Sequence, residues 1–386
     1  MCEKTIETAG SVKKIANVDW NKDTKMATIT YDSTKTNQDE ILKRIALAGY
    51  ELTNYFVRCL APDAPEMLDV ALALAFAPDH PQDEIEREKG VVRQEIGEAA
   101  DQPDDLVFEL AQVASYPGHP LGRPILGTEQ TLETITRDDL VGFGANNYSP
   151  QRTVVSVAGA FDRQAVLSVV DRWLASRKGD PAPTSAAPVA GVAALRAEQR
   201  KLEQSHIVLA RRTVSATSPD RFAARIFAEI FGGGMASRLF QDVREARGLA
   251  YTIDASCDQH ADCGRISVYA GSDPKDAAEV VKITSDIWAD LATAGPTEAE
   301  MARAKAVAAA QFAMSAEAPA ARAGSAAYEL LTFDRLVSVE EVLGHIGAVT
   351  TADVRRVAAE TLANPGIASA VGPKAGLAAA EAFVSA

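Results

Sequence analysis

Residues 178–193 read KGDPAPTSAAPVAGVA, rich in Pro and Ala and without hydrophobic period, and they divide the chain into two periodic parts. On either side, segments with apolar residues three and four apart alternate with short β-branched runs. That alternation confines the fold to α/β units, one before the linker and one after it. At 386 residues the chain is long enough for roughly two to four domains. Its 39 basic and 53 acidic residues leave a net charge of -14. Such a field repels phosphate backbones and anionic lipid, so neither nucleic acid nor a membrane is an expected partner. No apolar run reaches the length of about eighteen residues that a membrane span needs, and MCEKTIETAG lacks a signal-peptide pattern. Four cysteines do not make a disulfide framework. A soluble, cytoplasmic protein is the expectation.

Charge usage changes near residue 58. Residues 1–57 hold seven lysines and one arginine, whereas 58–386 hold seven lysines and twenty-four arginines. A switch this sharp suggests two coding origins, a natural fusion or an artificial join. Within 1–57, a helix over 1–9, strands over 12–20 and 25–31, a helix over 37–48 and a strand over 50–57 give the order helix, strand, strand, helix, strand. That is a ferredoxin-like βαββαβ unit lacking its first strand. On MCEKTIETAG, VDWNKDTKMATITYD and the closing LAGYE, the segment resembles a heavy-metal-associated domain of the copper-chaperone type. The resemblance implies a soft-metal site between two cysteines. Only Cys2 stands at a matching position, so copper has at best a single thiol.

After Pro62 the pattern predicts helices over 64–77, 82–100 and 104–115, a strand over 152–161 and a helix over 163–176. Beyond the linker it predicts a strand over 205–214, a helix over 220–231, a hairpin across 251–256 and 265–271, helices filling most of 275–363, and a strand at 367–371. On the helix 82–100, Ile85, Val91, Val92, Ile96 and Ala99 form an apolar stripe, and Glu88 and Glu95 fall inside it. A carboxylate turned toward a core is costly unless it is paired, protonated or metal-bound. Arginine partners and a functional origin are both open on periodicity alone.

Three longer segments bear on this and favour a functional origin: EREKGVVRQEIGEAADQPDDLVFE, HPLGRPILGTEQTLETIT and GGGMASRLFQDVREARGLAY. On these, residues 60–386 resemble the M16 (pitrilysin/insulinase) metallopeptidases, the bacterial relatives of mitochondrial processing peptidase in particular. The resemblance implies a zinc endopeptidase that encloses peptide or unfolded-protein substrates between two lobes, with a homodimer, or a heterodimer with a catalytic subunit, completing the enclosure. It implies that Glu95 is the distant glutamate ligand of zinc and Glu88 a supporting acid. It also implies that Arg244 and Tyr251 reach the active site from the opposite lobe to bind substrate and support an oxyanion. The alternatives for those two are a helix-end salt bridge for Arg244 and strand packing for Tyr251.

The family's His-x-x-Glu-His motif, which supplies two zinc ligands and the general base, is missing. The histidines are His80, His119, His206, His260 and His345, and none begins that pattern. Counting the family's spacing back from Glu95 lands near Trp20, inside the copper-domain-like segment. Cys257, His260 and Cys263 are read as a solvated hairpin loop rather than a metal site, and Gly232-Gly233-Gly234 as a tight turn rather than a phosphate loop. The expected fold is thus α/β (α+β), an M16-like two-domain architecture. Residues 1–57 form the partial ferredoxin segment, 58–177 a truncated first peptidase domain, 178–200 the linker and 201–386 a complete second domain. The expected function is that of an M16 zinc endopeptidase inactive alone, or a noncatalytic subunit lending Arg244 and Tyr251, or a copper-binding fusion. Residues 58–150 are expected to be poorly stable because part of their sheet is missing.

Overall fold

The computed structural model describes residues 30–31, 53–175 and 191–385, which cluster into two compact units. The first takes in the described residues up to Glu98, Ile125 to Ala175 and Glu317–Leu331; the second takes in Ala99–Pro124, the described residues up to Ala316 from 191 onward, and Thr332 to Ser385. Of the elements expected in 1–57, the helices over 1–9 and 37–48 and the strand over 12–20 lie outside the described residues, as does Cys2.

In the first unit, β1 (Thr30–Tyr31) pairs antiparallel with β2 (Tyr55–Phe56). The helices are α1 (Ala64–Phe76) and α2 (Gln82–Asp101), with α3 (Pro103–Ser115) following as part of the second unit. Next come α4 (Glu129–Thr134), α5 (Arg137–Asn147) and α6 (Arg163–Leu174). Threonines start α4 and α5: Thr128 and Thr136 accept from the third backbone N–H of their helices while Thr131 and Asp139 reach back. Asp69 of α1 joins α6, accepting from the indole N–H of Trp173 at 2.6 Å and from Arg172 at 3.1 Å. Two expectations are corrected here. Residues 152–161 are not a strand: Pro150–Arg152 is a 3₁₀ turn, and the half-buried residues after it belong to no ladder. A β-branched run needs a neighbouring strand to pair with, and among the described residues none lies beside it. Residues 137–147, passed over in the sequence, are helical because Thr136 and Asp139 cap them.

The second unit is built on a sheet ordered β3-β7-β4-β6-β5, made of β3 (Ala194–Gln199), β4 (Ser205–Thr213), β5 (Ala250–Gln259), β6 (Gly264–Ser272) and β7 (Ile367–Gly372). Only β3 and β7 run parallel. Its helices are α7 (Arg221–Gly232), α8 (Ala277–Thr293), α9 (Glu298–Ser315), α11 (Val339–Ala348), α12 (Thr351–Leu362) and α13 (Lys374–Ser385); α10 (Pro319–Phe333) falls mainly in the first unit.

Strand periodicity sorts the two faces of this sheet. Ile207 and Leu209 of β4 join the main core beneath α7 and α8, where Phe227, Phe231 and Trp288 are fully buried. The intervening Val208 faces the opposite way and packs with Val371 against Leu106, Val107 and Ala111 of α3. Ala210 does the same with Ala114 and Ile367. Both faces are covered, which is why IVLA reads as an unbroken apolar run. Covering the second face takes a helix nearly a hundred residues upstream, and polar bonds fasten it: Ser369 Oγ donates to the Val107 carbonyl at 2.7 Å, and Arg212 to the Ser115 carbonyl at 2.6 Å. The linker expectation is corrected at its end, because residues 194–199 are a strand. Their sequence, ALRAEQ, is polar, and only parallel pairing with β7 makes them one. The terminal helix α13 was likewise not foreseen.

Candidate functional site

The segment RLFQDVREARGLAY folds as a π-helix over Phe240–Ala246 followed by the start of β5. Leu239 and Val243 are fully buried and anchor its inner side. Gly248 then adopts φ 64°, a left-handed turn that a residue with a Cβ resists, and Leu249 N–H bonds back to the Val243 carbonyl at 2.9 Å. The chain reverses so tightly that Tyr251 returns alongside Arg244, whose guanidinium carbon lies 5.5 Å from the Tyr251 ring centre and 4.7 Å from that of Phe240. Tyr251 is 75% exposed despite its size.

Neighbouring arginines are neutralised. Arg238 bonds to Asp290 at 2.5 Å and to Glu300 at 2.7 Å, and Arg247 to Asp242 at 3.0 Å. Arg244, half-exposed, makes no ion pair among the described residues. The salt-bridge alternative for it is therefore not what the structure has, and neither is strand packing for the open Tyr251. Together they present a cation and a phenol to solvent, a donor set suited to carbonyl or carboxylate oxygens. Phe240 escapes the sequence reading, although its spacing of four from Arg244 was the available signal.

On α2, Glu88 and Glu95 lie two turns apart, each half-buried at the level of Val91 and Ile96 while Ile85 and Val92 are buried. Glu84 is engaged by Arg87 at 2.6 Å, whereas Glu95 makes no hydrogen bond or ion pair among the described residues. The arginine-paired alternative is thus not observed for Glu95.

The description "Insulinase (Peptidase family M16)" matches residues 32–129, and "Peptidase M16 inactive domain" matches residues 134–307. An uncharacterized zinc protease of Streptomyces coelicolor is 34% identical over 337 residues, spanning 85% of this chain and 73% of its own. The chain belongs to peptidase family M16. Another uncharacterized zinc protease, from Mycobacterium tuberculosis, is 32% identical over 333 residues, covering 85% of this chain and 76% of that protein. Among solved structures, a peptidase M16 inactive domain from Pseudomonas fluorescens superposes with TM-score 0.73 at 21% identity, over 82% of this chain and 77% of that one. A chain of complex III2 from Candida albicans superposes with TM-score 0.76 at 18% identity, over 95% and 86%. At these identities the structural likeness speaks for the M16 fold alone.

The M16 match begins at residue 32, inside the segment assigned above to a heavy-metal-associated domain. That assignment, and copper at Cys2 with it, is not supported. Among the described residues, the family's zinc meets a donor set that does not fit it. Among the described residues no three His, Cys, Asp or Glu side chains converge to hold a metal ion. Three of the five histidines are engaged elsewhere: His206 Nδ1 lies 2.9 Å from the Tyr269 hydroxyl, His119 Nδ1 accepts from Leu121 N–H, and His345 stacks on Phe222. Burial lowers the pKa of His80, His119 and His206, which favours the neutral imidazole that ligates a metal, so among the described residues it is convergence and not protonation that is missing. Nor is the β5–β6 turn a solvated loop, as expected from sequence. His260 N–H bonds the Cys263 carbonyl at 2.8 Å, and Cys263 is buried at 8% exposure. Burial pushes the Cys257 thiol up to about 12 and the Cys263 thiol to about 11, which disfavours the thiolates a metal requires.

Proposed function

We propose that this chain is a noncatalytic M16 subunit that binds extended peptide through Arg244 and Tyr251 and lends them to a catalytic subunit carrying His-x-x-Glu-His. The reading rests on one observation above others: Arg244 is the arginine of its segment left without an acid, stacked on an exposed tyrosine. An unneutralised guanidinium beside a phenolic O–H offers charged and neutral donors to peptide carbonyls, and binding needs no metal. Hydrolysis would need imidazole ligands and a general base that this sequence does not supply. Glu95 and Glu88 are, on this reading, the family's distant ligand and its supporting acid without their histidine partners. The first peptidase domain is taken to reach back to residue 32, where the family match begins, and to run to 177; the second is taken as 201–386, with β3 joining it.

The test combines metal analysis, cleavage and binding on purified full-length protein. Expected are substoichiometric zinc, no cleavage of a quenched peptide with or without chelator, and measurable binding of a fluorescein-labelled unstructured peptide. Arg244→Ala is expected to weaken that binding about tenfold, in keeping with loss of a hydrogen bond to a charged group. One tightly held zinc per chain with chelator-sensitive cleavage would overturn the reading.

A further inference from the structure

Phe240 and Arg244 are four apart, a spacing that on an α-helix leaves two side chains offset around the axis. A π turn closes on residue i+5 instead of i+4, so residues four apart come nearer to eclipsed. The seven residues Phe240–Ala246 adopt that geometry, and the Arg244 guanidinium accordingly lies 4.7 Å above the Phe240 ring. Its other aromatic neighbour, Tyr251, arrives from β5 at 5.5 Å. No carboxylate among the described residues holds this guanidinium, so the two ring faces are what restrict it.

We infer that Phe240 is a positioning residue: its ring fixes the Arg244 guanidinium beside Tyr251, so that the N–H donors point outward before peptide arrives. A flexible arginine loses rotamer freedom on binding, and one already stacked loses less. An acid in place of the ring would orient the guanidinium equally well but spend its charge and donors, as Glu300 does for Arg238. An aromatic face orients it and leaves the N–H edge available. The inference rests on the peptide-binding reading for its purpose, and on the two ring contacts for its substance.

The experiment uses the full chain with two readouts. One is the Arg244 side-chain Nε–H resonance without peptide, assigned with Arg244→Lys and shifted by the ring currents of its neighbours. The other is affinity for the fluorescein-labelled peptide. Phe240→Leu keeps apolar bulk and removes the ring; it is expected to move the resonance toward the free-arginine position and weaken binding roughly two- to fivefold. Phe240→Tyr and Phe240→Trp restore a ring and are expected to return both toward wild type. The inference is overturned if Phe240→Leu leaves the resonance in place, or if Phe240→Tyr behaves like Phe240→Leu, which would mark a packing role only. Should wild type and Arg244→Ala bind peptide equally, the peptide-binding reading falls, while the resonance still decides whether Phe240 holds the guanidinium.

Discussion

At the scale of single residues, three arginines within ten positions have different fates, and geometry sets each. Arg238 is anchored by Glu300, which also closes the capping box of α9 by accepting from Thr297 N–H at 2.7 Å. These bonds, that from Arg238 foremost, pull the Glu300 carboxyl from an ordinary 4.5 down to about 2. A depressed carboxyl stabilises the fold above its unfolded pKa, and the stabilisation drains away as pH falls from about 4.5 to about 2. Glu300→Gln is accordingly expected to cost about 1.5–3 kcal/mol at neutral pH, and the deficit should shrink across that acid window. Urea midpoints of both proteins as a function of pH measure this; parallel curves would show that the ionised Glu300 carboxylate adds no pH-dependent stability. For Tyr251, whose hydroxyl is the second donor of the proposed site, Tyr251→Phe is expected to weaken peptide binding severalfold and leave urea stability unchanged.

Among the elements, α7 and β5 meet backbone against backbone. Gly232 ends α7 so close to β5 that a Cβ there would lie 2.6 Å from both the Cβ and the backbone nitrogen of Ala255. Backbone cannot yield as a flexible side chain does. Gly232→Ala is therefore expected to destabilise by about 1–3 kcal/mol, read as a lowered thermal midpoint. The glycine at the end of α7 thus serves close packing. Under the same sheet, Arg211 shows how a buried cation is tolerated without an acid. It donates to the carbonyls of Leu362 and Asn364 at the end of α12 and lies over the Phe383 ring at 4.9 Å. The negative end of a helix takes the place of a carboxylate.

For the whole molecule, the division into units predicts where protease cuts. The main core, from Ile207 to Phe383, lies wholly in the second unit, while in the first the half-buried residues 153–158 belong to no ladder. Brief trypsin treatment is expected to cut within 53–98 and 125–175 first. Because α3 is packed and hydrogen-bonded to the sheet, fragment 99–124 is expected to stay on gel filtration with the resistant second-unit part of 191–385, which leaves out Glu317–Leu331. Mass spectrometry of the peak identifies both pieces; even cleavage along the chain, or release of 99–124, would contradict this arrangement.

Much was legible from residues alone where the signal is local. Apolar period marked α1, α2, α6 and α7 to within a few residues, whereas Arg244 and Tyr251 were singled out only through the family resemblance that VREARGLAY carries. What stayed hidden depends on partners distant in the chain. A polar run at 194–199 becomes a strand because β7 lies beside it, a β-branched run at 152–161 fails for lack of one, and the turn at Cys263 is buried because Tyr116 and its neighbours pack over it. Charge followed the same division. The sequence supplies the arginines, but only the folded chain determines which meet carboxylates and which is left to two aromatic rings, because pairing is a matter of ångströms in space and not of order along a polymer.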